Sequence, residues 1–188
     1  MKNITILISG SGTNLQRIID ATKSSEIENA KINLVIADRP CFGLERAEKE
    51  GIENILIKRG KDFSENLENQ IPENTDFIIL AGFLSILTKE FCNKYEGKII
   101  NIHPSLLPKF GGKGMWGHHV HQAVLDANEK ESGATVHFVT HGIDEGEIIL
   151  QKSFPIDEGD TVEILQKKVH VVEKEIFPKA INLVLNKV

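Results

Sequence analysis

Short apolar runs rich in β-branched residues alternate with helical patterns through the first half of the chain, and few folds accommodate that alternation. Ile4-Thr5-Ile6-Leu7-Ile8 reads as a buried strand, ended by the turn residues Ser9 to Gly12. Leu15, Ile18, Ile19 and Thr22 then recur at helical spacing, with Asn14 placed to cap the helix. Ile32 to Ala37 is a second strand, Gly43 to Glu50 a helix stopped by Gly51, and Ile52 to Ile57 holds a third strand. A polar helix around Asp62 to Gln70 leads to a fourth strand, Phe77 to Ala81. Repetition of this kind pairs strands in parallel through right-handed crossovers, so the fold class is α/β with an open twisted sheet.

The second half departs from that rhythm. Lys98 to Ile102 reads as a fifth strand, stopped by His103-Pro104 because proline cannot continue a central ladder. After a Pro- and Gly-rich loop, His119 to Ala127 looks helical. Thr135 to Thr140 and Glu147 to Lys152 are separated only by His141 to Gly146, which predicts an antiparallel hairpin and a mixed sheet at this end. From Thr161 a helical stripe runs through Ile164, Leu165, Lys168, Val169 and Val172. Asp160 and Glu163 are placed as a variant capping box, and Pro178 is expected to kink or interrupt the helix. With no repeat and no long linker, residues 1–188 are expected to form one domain.

Charge and cysteine usage narrow the partners. A formal charge of −5 supplies no basic excess for a phosphate backbone, so nucleic acid is not expected. Cys41 and Cys92 stand alone, without CxxC or zinc-finger spacing, as structural thiols of a reducing compartment would. No stretch approaches the ~20 apolar residues of a membrane span, and the first apolar run is too short for a signal sequence. The expected location is cytoplasmic.

Three segments carry candidate chemistry. Gly10-Ser11-Gly12-Thr13-Asn14 lies between the first strand and first helix, where glycines admit a ligand and helix N–H groups face an anion such as phosphate. The dinucleotide fingerprint fails there, because its third glycine would fall at Leu15; Asp38, at the end of the second strand, could mimic a ribose-binding acid. In Asn101-Ile102-His103-Pro104-Ser105-Leu106-Leu107-Pro108, strand periodicity puts Asn101 and His103 on one face at a strand's carboxyl end. An amide and a protonated imidazole can both donate to the oxyanion of acyl transfer. Asp144, between Gly142 and Gly146, is either a turn residue or a carboxylate that favours the charged form of His103. His118, His119 and His121 lack the helical ligand spacing of a metal motif and read as a polar loop and helix face. His137 alternates with Val136 and Phe138, and either lines the same cleft or is exposed.

The GSGTN start, Leu80-Ala81-Gly82-Phe83, NIHPSLLP at Asn101 to Pro108 and the Gly133 to Gly146 block together resemble phosphoribosylglycinamide formyltransferases, in that family's order and over nearly the whole chain. The resemblance implies a Rossmann-like formyltransferase fold whose N-terminal half binds the phosphoribosyl substrate and whose C-terminal half binds 10-formyltetrahydrofolate. Carried over by position, it implies substrate contacts from Gly12, Thr13, Asn14 and Glu173, and folate contacts from Leu84, Ser85, Ile86, Leu87, Asn101, Thr140 and His141. It also implies His103 as proton donor, Asn101 as oxyanion donor and Asp144 as the residue that keeps the His103 pKa high. No metal is implied, and a monomer or homodimer is expected.

Ser85 stands where family members often carry a basic residue, His141 where an acid is usual, and the Phe110 to His118 loop is longer than in some members, as a mobile lid would be. A formyltetrahydrofolate hydrolase uses a similar Asn, His and Asp set, but after an added N-terminal domain. A methionyl-tRNA formyltransferase needs a further C-terminal domain and a basic face. A non-catalytic nucleotide-binding module would leave the second and third segments unexplained.

Overall fold

In the computed structural model, which describes residues 1–187, the chain forms one seven-stranded sheet of order β3-β2-β1-β4-β5-β6-β7. The first half runs β1 (Lys2–Ile8), α1 (Thr13–Lys23), β2 (Ala30–Ala37), α2 (Phe42–Lys49), β3 (Asn54–Leu56), α3 (Phe63–Gln70) and β4 (Phe77–Leu80). Then follow α4 (Lys89–Lys94), β5 (Ile99–His103), α5 (His118–Asp126), β6 (Glu131–Phe138), β7 (Ile148–Pro155) and α6 (Val162–Leu185). β1 to β5 pair in parallel, and β6 runs antiparallel to both β5 and β7, the hairpin read from the sequence.

Side-chain alternation splits each central strand between two cores. Ile4, Ile6 and Ile8 of β1 join Phe77 and Ile79 of β4 beneath α1 and α6, while Leu7, Ile78 and Leu80 face Phe63 and Leu67 of α3 and Phe91 of α4. Burial on both faces explains the continuous apolar runs. Among the described residues no helix is long and apolar enough to cross a membrane.

Three local expectations change, and one short helix is new. Gly12, at φ 73, is the N-cap of α1, so the helix starts at Thr13 and Asn14 lies inside its first turn. Thr161 caps α6 in place of the Asp160/Glu163 pair: its Oγ1 accepts from the Ile164 N–H at 3.3 Å and donates to Glu163 at 2.8 Å. Helix α4 carries too short a stripe to stand out in the sequence. Finally, α6 runs through Pro178 without a break. Proline leaves the carbonyl four residues back without its helical partner; that carbonyl, on Lys174, accepts instead from Arg17 Nε of α1 at 2.8 Å.

Candidate active site

The strand order reverses between β1 and β4, and ligands of open α/β sheets bind outside the strand ends at such a point. A cavity of about 760 Å³ opens there. Its walls come from residues 10–14, 80–87, 101–104, 112–117 and 139–144, with Gln166, His170 and Glu173 of α6.

At one end, the first turn of α1 has neither a side-chain cap bond nor an acidic residue, so its N–H groups face the cavity unopposed. The loop before it is held from behind: Arg46 Nε donates to Ser11 O at 2.8 Å, and a Cβ on Gly12 would meet Gly43 Cα at 2.7 Å. Gly43 thus serves the loop through close backbone contact, a role invisible in the sequence.

At the other end, antiparallel pairing sets Asn101 opposite His137 and His103 opposite Thr135. The His137 Nδ1–H donates to Phe138 O at 2.8 Å, which leaves Nε2 to accept from Asn101 Nδ2 at 3.1 Å. Burial pushes the His137 pKa down, against its backbone bond and the Asp144 charge, so this ring is a neutral acceptor. It fixes the Asn101 amide and leaves one N–H of that group for the cavity. His103 is buried; its Nε2–H donates to Phe110 O at 2.8 Å, and its Nδ1 lies 3.5 Å from Asp144 Oδ2. Asp144 Oδ1 is 3.7 Å from His137 Nε2, and Oδ2 accepts from the Gly112 N–H at 2.9 Å. The three expected groups therefore meet, with His137 as a fourth member.

The loop after His103 is pinned from β6 and β7. Thr135 Oγ1 donates to Ser105 O at 2.6 Å and accepts from the Leu107 N–H, and Gln151 donates to Leu107 O at 3.0 Å. Asp144 itself adopts φ 59, and Gly111 leaves room for it: a Cβ there would approach Asp144 Cβ to 3.2 Å.

Leu84 and Ile86 are exposed at the cavity rim, with Leu87 half-buried beneath them and Thr140 and His141 exposed across the mouth. Ser85, also in the cavity wall, donates to Asp38 at 2.7 Å. Asp38 is not an open ribose-binding acid: its buried carboxylate is taken up by Ser85, Arg39 and Arg59. Nor is His121 on a polar surface. It is buried in the cavity wall, and burial, followed by the charges of His170, His103 and His118, pushes its pKa down to about 4. Beside the loop, Glu173 accepts from Asn14 Nδ2 at 3.4 Å, and burial pushes its pKa up to about 7. Arg39, Arg59 and His170 also line the cavity, and no local pattern in the sequence pointed to them.

The sequence profile described as formyl transferase matches residues 2–181. The trifunctional purine biosynthetic protein adenosine-3 of Chironomus tentans is 46% identical over 192 residues, which cover 97% of this chain but 14% of that protein. The phosphoribosylglycinamide formyltransferase of Haemophilus influenzae is 42% identical over 189 residues, covering 96% of this chain and 86% of that one. The crystal structure of glycinamide ribonucleotide transformylase 1 from Symbiobacterium toebii superposes with a TM-score of 0.89 at 38% identity, over 97% of this chain and 87% of that chain.

Proposed function

The chain belongs to the formyl transferase family, and we propose that within it this protein moves the formyl group of 10-formyltetrahydrofolate to the primary amine of 5-phosphoribosylglycinamide, a step of purine biosynthesis. The observation that carries the reading is the placement of Asn101, His103 and Asp144 at one end of a cavity whose other end is the open N-terminus of α1. A phosphate at that N-terminus, held by Gly12, Thr13 and Asn14 with Glu173 beside them, directs the rest of the substrate toward the trio. Leu84 to Leu87, Asn101, Thr140 and His141 form the wall for the folate, with backbone groups and apolar surface in place of a cation at Ser85.

The chemistry follows from charge development. The neutral amine attacks the formyl carbon, a C–N bond forms, and the carbonyl pair moves to oxygen. The free Asn101 N–H and an imidazolium N–H of His103 meet that oxyanion, one such donor being typically worth ~3 kcal/mol of barrier. With Nε2 committed to Phe110 O, the Nδ1 edge beside Asp144 is the one available for donation. The Asp144 carboxylate balances the charge on the ring and assists transfer of the amine proton to the folate nitrogen. The bond to that nitrogen then breaks, releasing tetrahydrofolate and the formylated amine. Holding both reactants in one cavity supplies a further entropic share. No metal enters the step. We place the protein in the cytoplasm, acting on small molecules as a monomer or homodimer.

The test is formation of tetrahydrofolate with and without the glycinamide ribonucleotide. Release dependent on the amine, with formyl recovered on it, is the expected result. Equal release without the amine identifies a hydrolase, and no turnover by folded protein refutes formyl transfer.

A further inference from the structure

Three consecutive residues touch both halves of the His103–Asp144 pair through backbone groups alone. Phe110 O accepts from the His103 Nε2–H at 2.8 Å, and the Gly112 N–H donates to Asp144 Oδ2 at 2.9 Å. That same Oδ2 lies 3.5 Å from His103 Nδ1. Imidazole, carboxylate and the backbone from Phe110 to Gly112 thus close a ring of contacts. The spacing of the two side chains is set by where that backbone places one carbonyl and one N–H.

No regular element holds the segment, because β5 ends at His103 and α5 starts at His118. Phe110 also sits at φ 54, a left-handed conformation that a residue with a side chain keeps only when its surroundings enforce it. The buried hydroxyl of Ser105 supplies the anchor. It donates to Lys109 O at 2.9 Å and shares its proton with Phe110 O at 3.3 Å. The Ser105 backbone is fixed in turn from β6, where Thr135 Oγ1 donates to Ser105 O at 2.6 Å. Position therefore passes from the sheet, through one hydroxyl, to the carbonyl on which the His103 ring rests. Gly111 completes the fit: a Cβ there would meet Leu107 Cδ2 at 2.6 Å and Asp144 Cβ at 3.2 Å.

We propose that Ser105 is a positioning residue, which acts through the Phe110–Gly112 backbone to hold the His103 ring with Nε2 as donor and Nδ1 turned to Asp144. Its effect on rate rests on the formyl-transfer reading; its effect on the ring does not. Ser105 and Gly111 stand outside the cavity wall, so neither touches a reactant. Without the hydroxyl, the Phe110 carbonyl can shift and the ring loses its fixed edge. The developing oxyanion then meets a less well placed N–H, and the loss falls on the transition state while ground-state binding is kept.

Ser105→Ala should lower kcat roughly tenfold while the KM of each reactant stays within about twofold. In a His103→Asn background there is no ring to position, and the same change should cost less than about twofold of the residual turnover. A general loosening of the fold would instead multiply the two losses. The ring is read directly by 15N NMR of His103 at a pH where it is neutral. Wild type should carry the proton on Nε2, and Ser105→Ala should distribute it over both nitrogens. Gly111→Ala presses on Asp144 from the same segment without needing a left-handed backbone, so it should show the same kcat-only loss and carries the argument if Ser105→Ala unfolds. An unchanged kcat, a loss confined to KM, multiplied losses in the double variant or an unchanged tautomer would overturn the assignment. Wild-type protein inert toward both reactants refutes formyl transfer, and the tautomer comparison then decides the positioning on its own.

Discussion

Replacing Glu173 with glutamine isolates what it costs to keep an acid inside this cavity. The side chain is 7% exposed and faces Asn14 Nδ2 at 3.4 Å and His170 Nε2 at 3.9 Å. Burial pushes its pKa up from 4.5 to about 7, and the Asn14 amide opposes only part of that. The sign follows directly. Below about pH 4.5 folded and unfolded chains both hold the proton, and burial carries no ionic penalty. As pH rises toward 7 the unfolded chain releases its proton first, so stability falls; above about 7 the loss is complete. That interval is worth roughly 3 kcal/mol.

Glutamine has the same shape, can still accept from Asn14 and never ionises. Glu173→Gln should therefore be more stable than wild type by roughly 2–3 kcal/mol near pH 8, with the gain shrinking to almost nothing near pH 4.5. Urea denaturation of both proteins across that range measures it. His121, its pKa pushed down to about 4 chiefly by burial, occurs in both proteins and cancels in the difference, whereas His170 lies 3.9 Å from Glu173, so the comparison is made in a His170→Gln background. A stability difference independent of pH, or a variant less stable at high pH, would refute the reasoning. If the acid is retained for the substrate, the stabilised variant should also show a raised KM for the ribonucleotide.

Asp144→Asn should lower turnover by roughly 10²-fold or more while circular dichroism and thermal stability stay near wild type, since the carboxylate faces His103 and not the core. A wild-type rate in that variant removes Asp144 from the mechanism. Arg17→Ala should cost about 1 kcal/mol in wild type through the lost bond to Lys174 O, and markedly less with Pro178→Ala, whose restored N–H can take that carbonyl. Additive costs in this double-mutant cycle would show that the bond does not compensate for the proline. Trypsin cleavage at Lys113, exposed in the loop carrying Trp116, should slow when both reactants or a bisubstrate mimic are bound, as for a lid that closes. Unchanged cleavage at saturation argues against closure.

How far the site was legible follows from how local each signal is. Asn101 and His103 could be placed because a period of two and a following proline are properties of one short segment. The same rule raised His137 but could not orient it, since its neighbours come from β5 and from the loop bearing Asp144. Asp38 differs for a related reason: one acid at a strand end looks available until Arg59 and Ser85, distant in sequence, join its neighbour Arg39 on the carboxylate. Pro178 shows the converse. Its local rule predicts a break, and a single arginine from another helix satisfies the freed carbonyl and lets α6 continue. The residue type of Asn14 favours a cap, yet Gly12 reaches the left-handed conformation that starts the helix earlier. That leaves the Asn14 amide free to approach Glu173. In each case the backbone element followed from local spacing, whereas the charge and hydrogen-bond state of the side chain depended on a partner more distant in sequence. The pKa shifts of His121, His137 and Glu173 have the same origin, because they arise mainly from desolvation inside a cavity assembled by tertiary packing.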